Sequence, residues 1–370
     1  MKAIISGGGT GGHIFPAIAI ANALKERNPS TEILFVGANG RMEMEKVPQA
    51  GYEIKGLNIA GFQRGSIIKN LALPFKLAGS MLKAISIVHS FKPDVAIGVG
   101  GYASGPLLRA ASLLGVPTVI QEQNSFAGVT NKILARNAKV ICTAYEGMEK
   151  VFPKEKIVLT GNPVRSEIVN AFTGKGVGRD YMGETAREYF RLENNKPTIL
   201  ILGGSLGAKT INKSVEASLE RIKQSDVQIL WQTGKVYIEE CERIAEGVTN
   251  LHARMFIDRM DYAYACADVI ISRAGALSIS ELQIVGKPVI LVPSPNVAED
   301  HQTHNAMALV NKRAAIMIKD DEARLNLIGT AYDLLINTNM KAELSENIKK
   351  MAISDSAGRI VDEILKVAKA

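Results

Sequence analysis

The chain has 370 residues, is 46% hydrophobic and 22% charged, and carries a net charge of +7, which suits a soluble α/β protein of two domains that needs no covalent staples. Its three cysteines, Cys142, Cys241 and Cys266, lie far apart without CxxC or Cys/His spacing, which excludes a disulfide framework and a structural zinc site. The start, MKAIISGGG, lacks the apolar stretch of a secretory signal, and no uncharged apolar run of about 18 residues follows, so the expected location is cytoplasmic.

In chain order, a buried strand at Lys2–Ser6 leads into a glycine loop and then an apolar helix from about Phe15 to Glu26. Short continuous apolar runs follow at Ile33–Gly37, Val95–Val99, Thr118–Gln121 and Val140–Thr143, each after a helical or turn segment. That alternation predicts a parallel sheet covered on both faces. After Gly161-Asn162-Pro163 comes a charged, glycine-containing stretch from Thr173 to Lys196, longer than a simple linker. The pattern then restarts with a strand at Thr198–Leu202, a second glycine loop at Gly203–Gly207, and strand-like runs at Val227–Gln232, Val269–Ser272 and Val289–Val292. Two strand–loop–helix starts predict two similar domains with a cleft between them.

The first loop reads Gly7-Gly8-Gly9-Thr10-Gly11-Gly12-His13. Glycines permit positive φ and close backbone approach, and the following helix end offers N–H groups to an anion. A dinucleotide fingerprint needs an acidic residue closing the second strand, but that strand ends Phe35-Val36-Gly37-Ala38. A P-loop needs lysine where His13 stands. Both standard cofactor readings therefore fail. At a helix N-terminus the positive end of the backbone dipole favours neutral imidazole, so His13 is a candidate general base.

The second loop has the same logic, with Ser205 adding a hydroxyl donor for a phosphate. Arg165 follows a rigid turn at the domain junction. Beyond the strand ending at Ser272, the run Arg273-Ala274-Gly275-Ala276-Leu277-Ser278-Ile279-Ser280-Glu281 opens a helix with small residues and places a carboxylate within reach of ribose hydroxyls. In Glu299-Asp300-His301-Gln302-Thr303-His304-Asn305-Ala306, the amides of Gln302 and Asn305 recur three apart, a pattern suited to sugar hydroxyls. The two histidines there lack metal-ligand partners.

These motifs, together with Gly100-Gly101-Tyr102, Ser104-Gly105-Pro106 and Glu122-Gln123-Asn124, closely resemble the MurG family over nearly the whole length. The resemblance implies the GT-B fold, two Rossmann-like domains facing across a cleft. Residues 1–162 would form the acceptor- and membrane-facing domain, with a helix at about 350–370 packing back on it, and 163–349 the UDP-sugar domain. It implies inverting transfer of N-acetylglucosamine from UDP-N-acetylglucosamine to the C4 hydroxyl of undecaprenyl-diphosphate-linked N-acetylmuramoyl-pentapeptide. It also implies that Asn124 and Gln302 contact the sugar, Arg165 and Ser205 the diphosphate, and backbone near Ile257 the uracil. Ala276, Leu277, Ser278, Ile279 and Ser280 would line the nucleotide, Glu281 would bind ribose, and Thr10, Gly11 and Gly12, also donor-binding, would face the cleft. Asn305 is placed on the donor side, Tyr102 and Asn131 on the acceptor side. Position 278 is serine where the family often has threonine, which keeps the hydroxyl. The base is His13 or Glu122. No DxD pair appears, so no essential metal or other cofactor is expected.

Residues 1–162 hold 18 Lys/Arg against 10 Asp/Glu, and such asymmetry points to an anionic partner. Between residues 64 and 83, Ile67, Ile68, Leu71, Leu73, Phe75, Leu77, Met81 and Leu82 alternate with Arg64, Lys69, Lys76 and Lys83. This suits an interfacial segment on anionic headgroups, interrupted at Pro74, and a peripheral position on the inner face of the cell membrane. Sparse aromatics and absent recognition motifs argue against nucleic acid. The rivals are another GT-B enzyme, such as a glycolipid glucosyltransferase or a UDP-N-acetylglucosamine 2-epimerase, and a non-catalytic nucleotide-sugar sensor.

Overall fold

The computed structural model describes residues 1–59, 73–174 and 179–369, which form two compact units, Met1–Val164 with Asp355–Ala370, and Arg165–Ser354. The division falls two residues beyond the expected 162/163 boundary, and the second unit runs to Ser354 where 349 was expected.

The first unit is built on strands β1 (Lys2–Gly7), β2 (Glu32–Ala38), β3 (Glu53–Leu57), β4 (Val95–Gly100), β5 (Thr118–Glu122), β6 (Val140–Thr143) and β7 (Ile157–Leu159). All pair in parallel in the order β3-β2-β1-β4-β5-β6-β7. Side chains alternate across β1, so Ala3 and Ile5 enter one core while Ile4 enters the other. The first core receives Ile14, Ala17, Ile20, Ala21 and Leu24 of the Gly11–Arg27 helix and Ile360, Val361, Ile364 and Val367 of the Ser356–Lys369 helix. The second receives Ala84, Ile87 and Val88 of the Leu73–Phe91 helix and Leu107 and Leu108 of the Ser104–Leu113 helix. With helices on both faces, the interior strands have no polar side, which is why they read as unbroken apolar runs.

The second unit repeats the plan with β8 (Thr198–Leu202), β9 (Gln228–Gln232), β10 (Leu251–Arg254), β11 (Val269–Ser272), β12 (Val289–Leu291) and β13 (Ile316–Met317), parallel in the order β10-β9-β8-β11-β12-β13. Trp231, the only tryptophan, is fully buried there and donates its indole N–H to Asn212 Oδ1 at 3.0 Å. The three cysteines are free and buried, and burial pushes the thiols of Cys142 and Cys241 up to about 12 and that of Cys266 up to about 11.

In both units the chain leaves the central strand in one direction and later returns to its other side. The reversal lies between β1 and β4 in the first sheet and between β8 and β11 in the second. Ligands of doubly wound sheets bind beyond the carboxyl ends of the strands at such a reversal. The glycine-rich segments follow β1, β4, β8 and β11.

Candidate functional site

In the first unit, β1 ends at Gly7 and the helix begins at Gly11, with Thr10 as an extended N-cap whose side chain makes no capping bond. Gly9 has φ +88. His13 sits in the first helical turn, half-buried, with Nδ1 3.0 Å from the Gly8 carbonyl oxygen. In neutral imidazole that contact places the proton on Nδ1 and the lone pair on Nε2, the tautomer a general base requires.

The turn after β4 is fitted against this loop. Gly100 and Gly101 have φ of +106 and +93. A Cβ on Gly100 would lie 2.6 Å from the His13 ring, and one on Gly101 2.4 Å from the Gly8 oxygen. The buried Ser104 hydroxyl lies 2.8 Å from the Gly100 oxygen and 3.1 Å from the Ser6 oxygen, tying the turn to β1. Tyr102 is exposed on the same turn.

A residue that sequence reading missed lies beneath the loop. Glu43, the first residue of the Glu43–Gln49 helix, is 1% exposed. Its carboxylate accepts the Gly9 N–H at 2.9 Å and the Ala38 N–H at 3.0 Å. Space for it exists because positions 8 and 37 carry no side chain, since a Cβ would lie 2.2 Å from Glu43 Oε1 at the first and 2.6 Å from Cγ at the second. The paired glycines at the ends of β1 and β2 were the signal available.

Glu122, the alternative base, is 2% exposed. Its oxygens accept the backbone N–H groups of Asn124 (3.0 Å) and Gly128 (3.2 Å) and the side-chain amides of Asn131 (2.8 Å) and Asn124 (3.3 Å). A carboxylate whose two oxygens accept from four donors presents no lone pair to an outside hydroxyl. Geometry therefore assigns Glu122 to shaping the loop that carries Asn124. Asn131, expected on the acceptor side, is 4% exposed with its amide turned inward to Glu122. Behind this loop, Gln121 Nε2 donates to Asn162 Oδ1 (2.8 Å), Asn162 Nδ2 to the Gln123 oxygen (3.0 Å), and Gln123 Nε2 to the Val99 oxygen (2.7 Å). These buried amides fix the ends of β4 and β5 and the Gly161-Asn162-Pro163 turn to one another.

In the second unit, the loop after β8 has Gly204 and Gly207 at φ +80 and +89, and Ser205 is exposed on it. The loop rests on the turn after β9, where a Cβ at Gly234 would lie 2.0 Å from the Gly207 nitrogen. No side chain caps the N-terminus of the Lys209–Ala217 helix at Ala208 or of the Ala276–Val285 helix at Gly275. Each therefore directs backbone N–H groups outward, the arrangement that receives phosphate.

Arg165 and Glu281, separated by 116 residues, form a bidentate pair with Nε–Oε1 at 2.7 Å and Nη2–Oε2 at 2.9 Å. The Tyr264 hydroxyl, fully buried, donates to Glu281 Oε2 at 3.1 Å. Burial first, and then the carboxylate, push the Tyr264 phenol well above its ordinary range, which keeps it a donor. The expected diphosphate and ribose ligands thus hold each other in this structure.

The remaining donor-side residues are placed in different ways. The side chains of Ile257 and Ile279 are 1% and 0% exposed, so only their backbone can meet a ligand. The N–H of Ile257 is already taken by Gln232 Oε1 at 3.0 Å, which leaves its carbonyl. Ser280 turns its hydroxyl back to the Ala276 oxygen at 3.1 Å, while Ala276, Leu277 and Ser278 are half-buried around the helix start. Asn305 is fully buried, its amide on the Ala274 oxygen at 3.3 Å, so it tethers the His301–Val310 helix and presents nothing to a sugar. Gln302 is half-buried and accepts the Ser294 N–H at 2.9 Å through Oε1.

Arg273 was also missed. Its Nη1 reaches the Val292 and Pro293 oxygens (3.1 and 3.2 Å) and Asp320, whose other oxygen accepts from Thr210 Oγ1 at 2.7 Å. One guanidinium thereby binds the end of β12 to the starts of two helices.

Comparison with known proteins bears on family and fold. The glycosyltransferase family 28 N-terminal domain matches residues 3–143 and its C-terminal domain residues 198–360. The UDP-N-acetylglucosamine--N-acetylmuramyl-(pentapeptide) pyrophosphoryl-undecaprenol N-acetylglucosamine transferase of Bacteroides thetaiotaomicron is 55% identical, with 100% of this chain and 98% of that protein covered. Its counterpart in Cytophaga hutchinsonii is 56% identical over 99% and 96%. The crystal structure of Acinetobacter baumannii MurG superposes with a TM-score of 0.80 at 31% identity, covering 99% of each chain. A Neisseria meningitidis UDP-GlcNAc 2-epimerase bound to UDP-GlcNAc reaches a TM-score of 0.68 at 16% identity over 99% and 100%, which shows a shared fold alone. Fold, motif order and full-length identity together place this chain in glycosyltransferase family 28, as a member of the MurG family of N-acetylglucosamine transferases.

Proposed function

We propose that this protein transfers N-acetylglucosamine from UDP-N-acetylglucosamine to the C4 hydroxyl of undecaprenyl-diphosphate-linked N-acetylmuramoyl-pentapeptide, with inversion at the anomeric carbon. The observation that carries the mechanism is the His13 contact to the Gly8 oxygen at 3.0 Å, which supports the Nδ1–H tautomer, the one in which Nε2 is the basic nitrogen. As the C1–O bond to UDP breaks, negative charge grows on the diphosphate. Ser205 and the uncapped helix ends at Ala208 and Gly275 are prearranged donors for it, and Arg165 joins them on leaving Glu281, so in this reading the reaction needs no bound metal. In this reading Arg165 releases Glu281 to the ribose, and Gln302 contacts the sugar.

Full-length identity to the named transferases supports this reading over an epimerase or a sensor. The acceptor's polyprenyl chain requires a membrane surface. No described helix is long and apolar enough to cross one. In the Leu73–Phe91 helix, however, Leu77 and Leu82 are exposed beside the exposed Lys76 and Lys83, as suits an anionic leaflet on its cytoplasmic side. Of the expected interfacial segment, residues 64–72 lie outside the described residues, and Pro74 falls in the first turn of the helix as described, where proline is tolerated.

The test is UDP release from UDP-N-acetylglucosamine with a synthetic muramyl-diphospho-lipid. Release that depends on the acceptor is expected, with kcat lower by about 10²- to 10⁴-fold in His13→Asn and unchanged affinity for UDP. Turnover of donor without acceptor would instead mark an epimerase.

A further inference from the structure

We infer that Glu43 is a positioning residue for His13, acting through the single peptide group that joins Gly8 to Gly9. The carboxylate accepts the Gly9 N–H at 2.9 Å, and the Gly8 carbonyl accepts from His13 Nδ1 at 3.0 Å. These are the two ends of one trans amide, so they point in opposite directions and can be engaged at once. The result is an unbroken line: carboxylate, amide, imidazole. Buried negative charge on the amide's hydrogen side draws electron density toward its oxygen and strengthens that oxygen as an acceptor. The imidazole is thereby held in the Nδ1–H tautomer, and its protonated form is stabilised. The arrangement resembles a carboxylate that orients a histidine directly, with a backbone amide inserted between them.

The fit is specific. The carboxylate is 1% exposed, and its second oxygen is satisfied by the Ala38 N–H at 3.0 Å, so it is fixed. Glycine at positions 8 and 37 makes its room. The device also opposes a second field, since His13 stands in the first turn of its helix, where the backbone dipole disfavours the imidazolium. Other charged groups on elements packed against that helix are Lys2 on β1, Glu45 and Lys46 on the Glu43–Gln49 helix, and Arg359, Asp362, Glu363, Lys366 and Lys369 on the Ser356–Lys369 helix. Asp362 pairs with Arg27 at the far end of the helix, and Lys2 pairs with Glu32. On the adjoining turn the titratable neighbour is Tyr102.

The inference rests on His13 as base, and the experiment separates the two. The imidazole ¹⁵N signals of the full chain are titrated in the wild type and in Glu43→Gln, with His13→Asn for assignment, beside kcat and donor KM against pH. In Glu43→Gln the His13 pKa is expected to fall by about one unit. The acid limb of kcat/KM should follow it to lower pH, kcat should drop about 10- to 100-fold, and donor KM should stay within about twofold. In the wild type, the Gly9 amide resonance should move with the midpoint of the imidazole titration, a readout that survives if the variant fails to fold. An unshifted His13 pKa in a folded Glu43→Gln, or a Gly9 amide that ignores the titration, overturns the proposal. Full activity of His13→Asn, by contrast, removes the base reading while the coupling is judged by the resonances alone.

Discussion

The loops after β1 and β8 occupy the same topological slot in their two sheets and are built in opposite ways. The first rests on a side chain, the buried carboxylate of Glu43, and carries a histidine. The second rests on backbone, with Gly207 against Gly234, and carries an exposed serine. A loop that moves a proton benefits from a charge behind it, which tunes the titrating group. A loop that receives an anion is served by bare N–H groups, and a buried carboxylate beneath it would repel the ligand. Similar glycine-rich sequence therefore encodes two different electrostatic environments.

The sharpest way to break the comparison is at the backbone contact. Gly234→Ala should cost about 3 kcal/mol in denaturant unfolding, because its Cβ meets backbone that cannot move aside. Gly204→Ala, where φ is +80 but nothing lies near, should cost about 1 kcal/mol. Equal losses at the two positions would mean that φ alone governs the loop. Next in size, Arg165→Ala should weaken UDP binding by about 10- to 100-fold in calorimetry, the usual worth of a charge-assisted contact. An unchanged affinity would leave Arg165 as no more than the partner of Glu281. Smallest, Tyr264→Phe removes one donor from the Glu281 carboxylate and should raise donor KM about threefold with kcat unaltered; a fall in kcat instead would place Tyr264 in the chemical step.

The fold class and the interior strands were legible in the sequence, and the strands that were not follow a pattern. The nine strands expected from apolar runs are the interior strands of the two sheets. The four it missed, β3, β7, β10 and β13, are the four edges. Interior strands are covered on both faces and read as continuous apolar runs, whereas Glu53-Ile54-Lys55-Gly56-Leu57 is half-exposed and alternates. In the site, the motif residues were legible because glycine loops and helix starts are local. Their supports were not. Glu43 reads as an ordinary acid in a helical first turn, Glu122 as an available carboxylate, and Arg165 and Glu281 as independent ligands. Glu43, Arg165 and Glu281 are decided by a partner far along the chain or by room left where a side chain is absent, and neither appears in a window of neighbouring residues; Glu122 is decided by the path of its own loop, which turns the donors of Asn124, Gly128 and Asn131 back onto it.

The helix of residues 356–369 completes the core of the amino-terminal unit, and this fixes an order of assembly on the ribosome. The sheet bearing His13 is synthesised first, yet its last apolar cover is made only after the whole of the other unit, about 10–40 s later at ordinary elongation rates. Nascent chains must shelter that bare strip in the interval. A chain cut short by a dozen residues would damage the half of the molecule that was translated first.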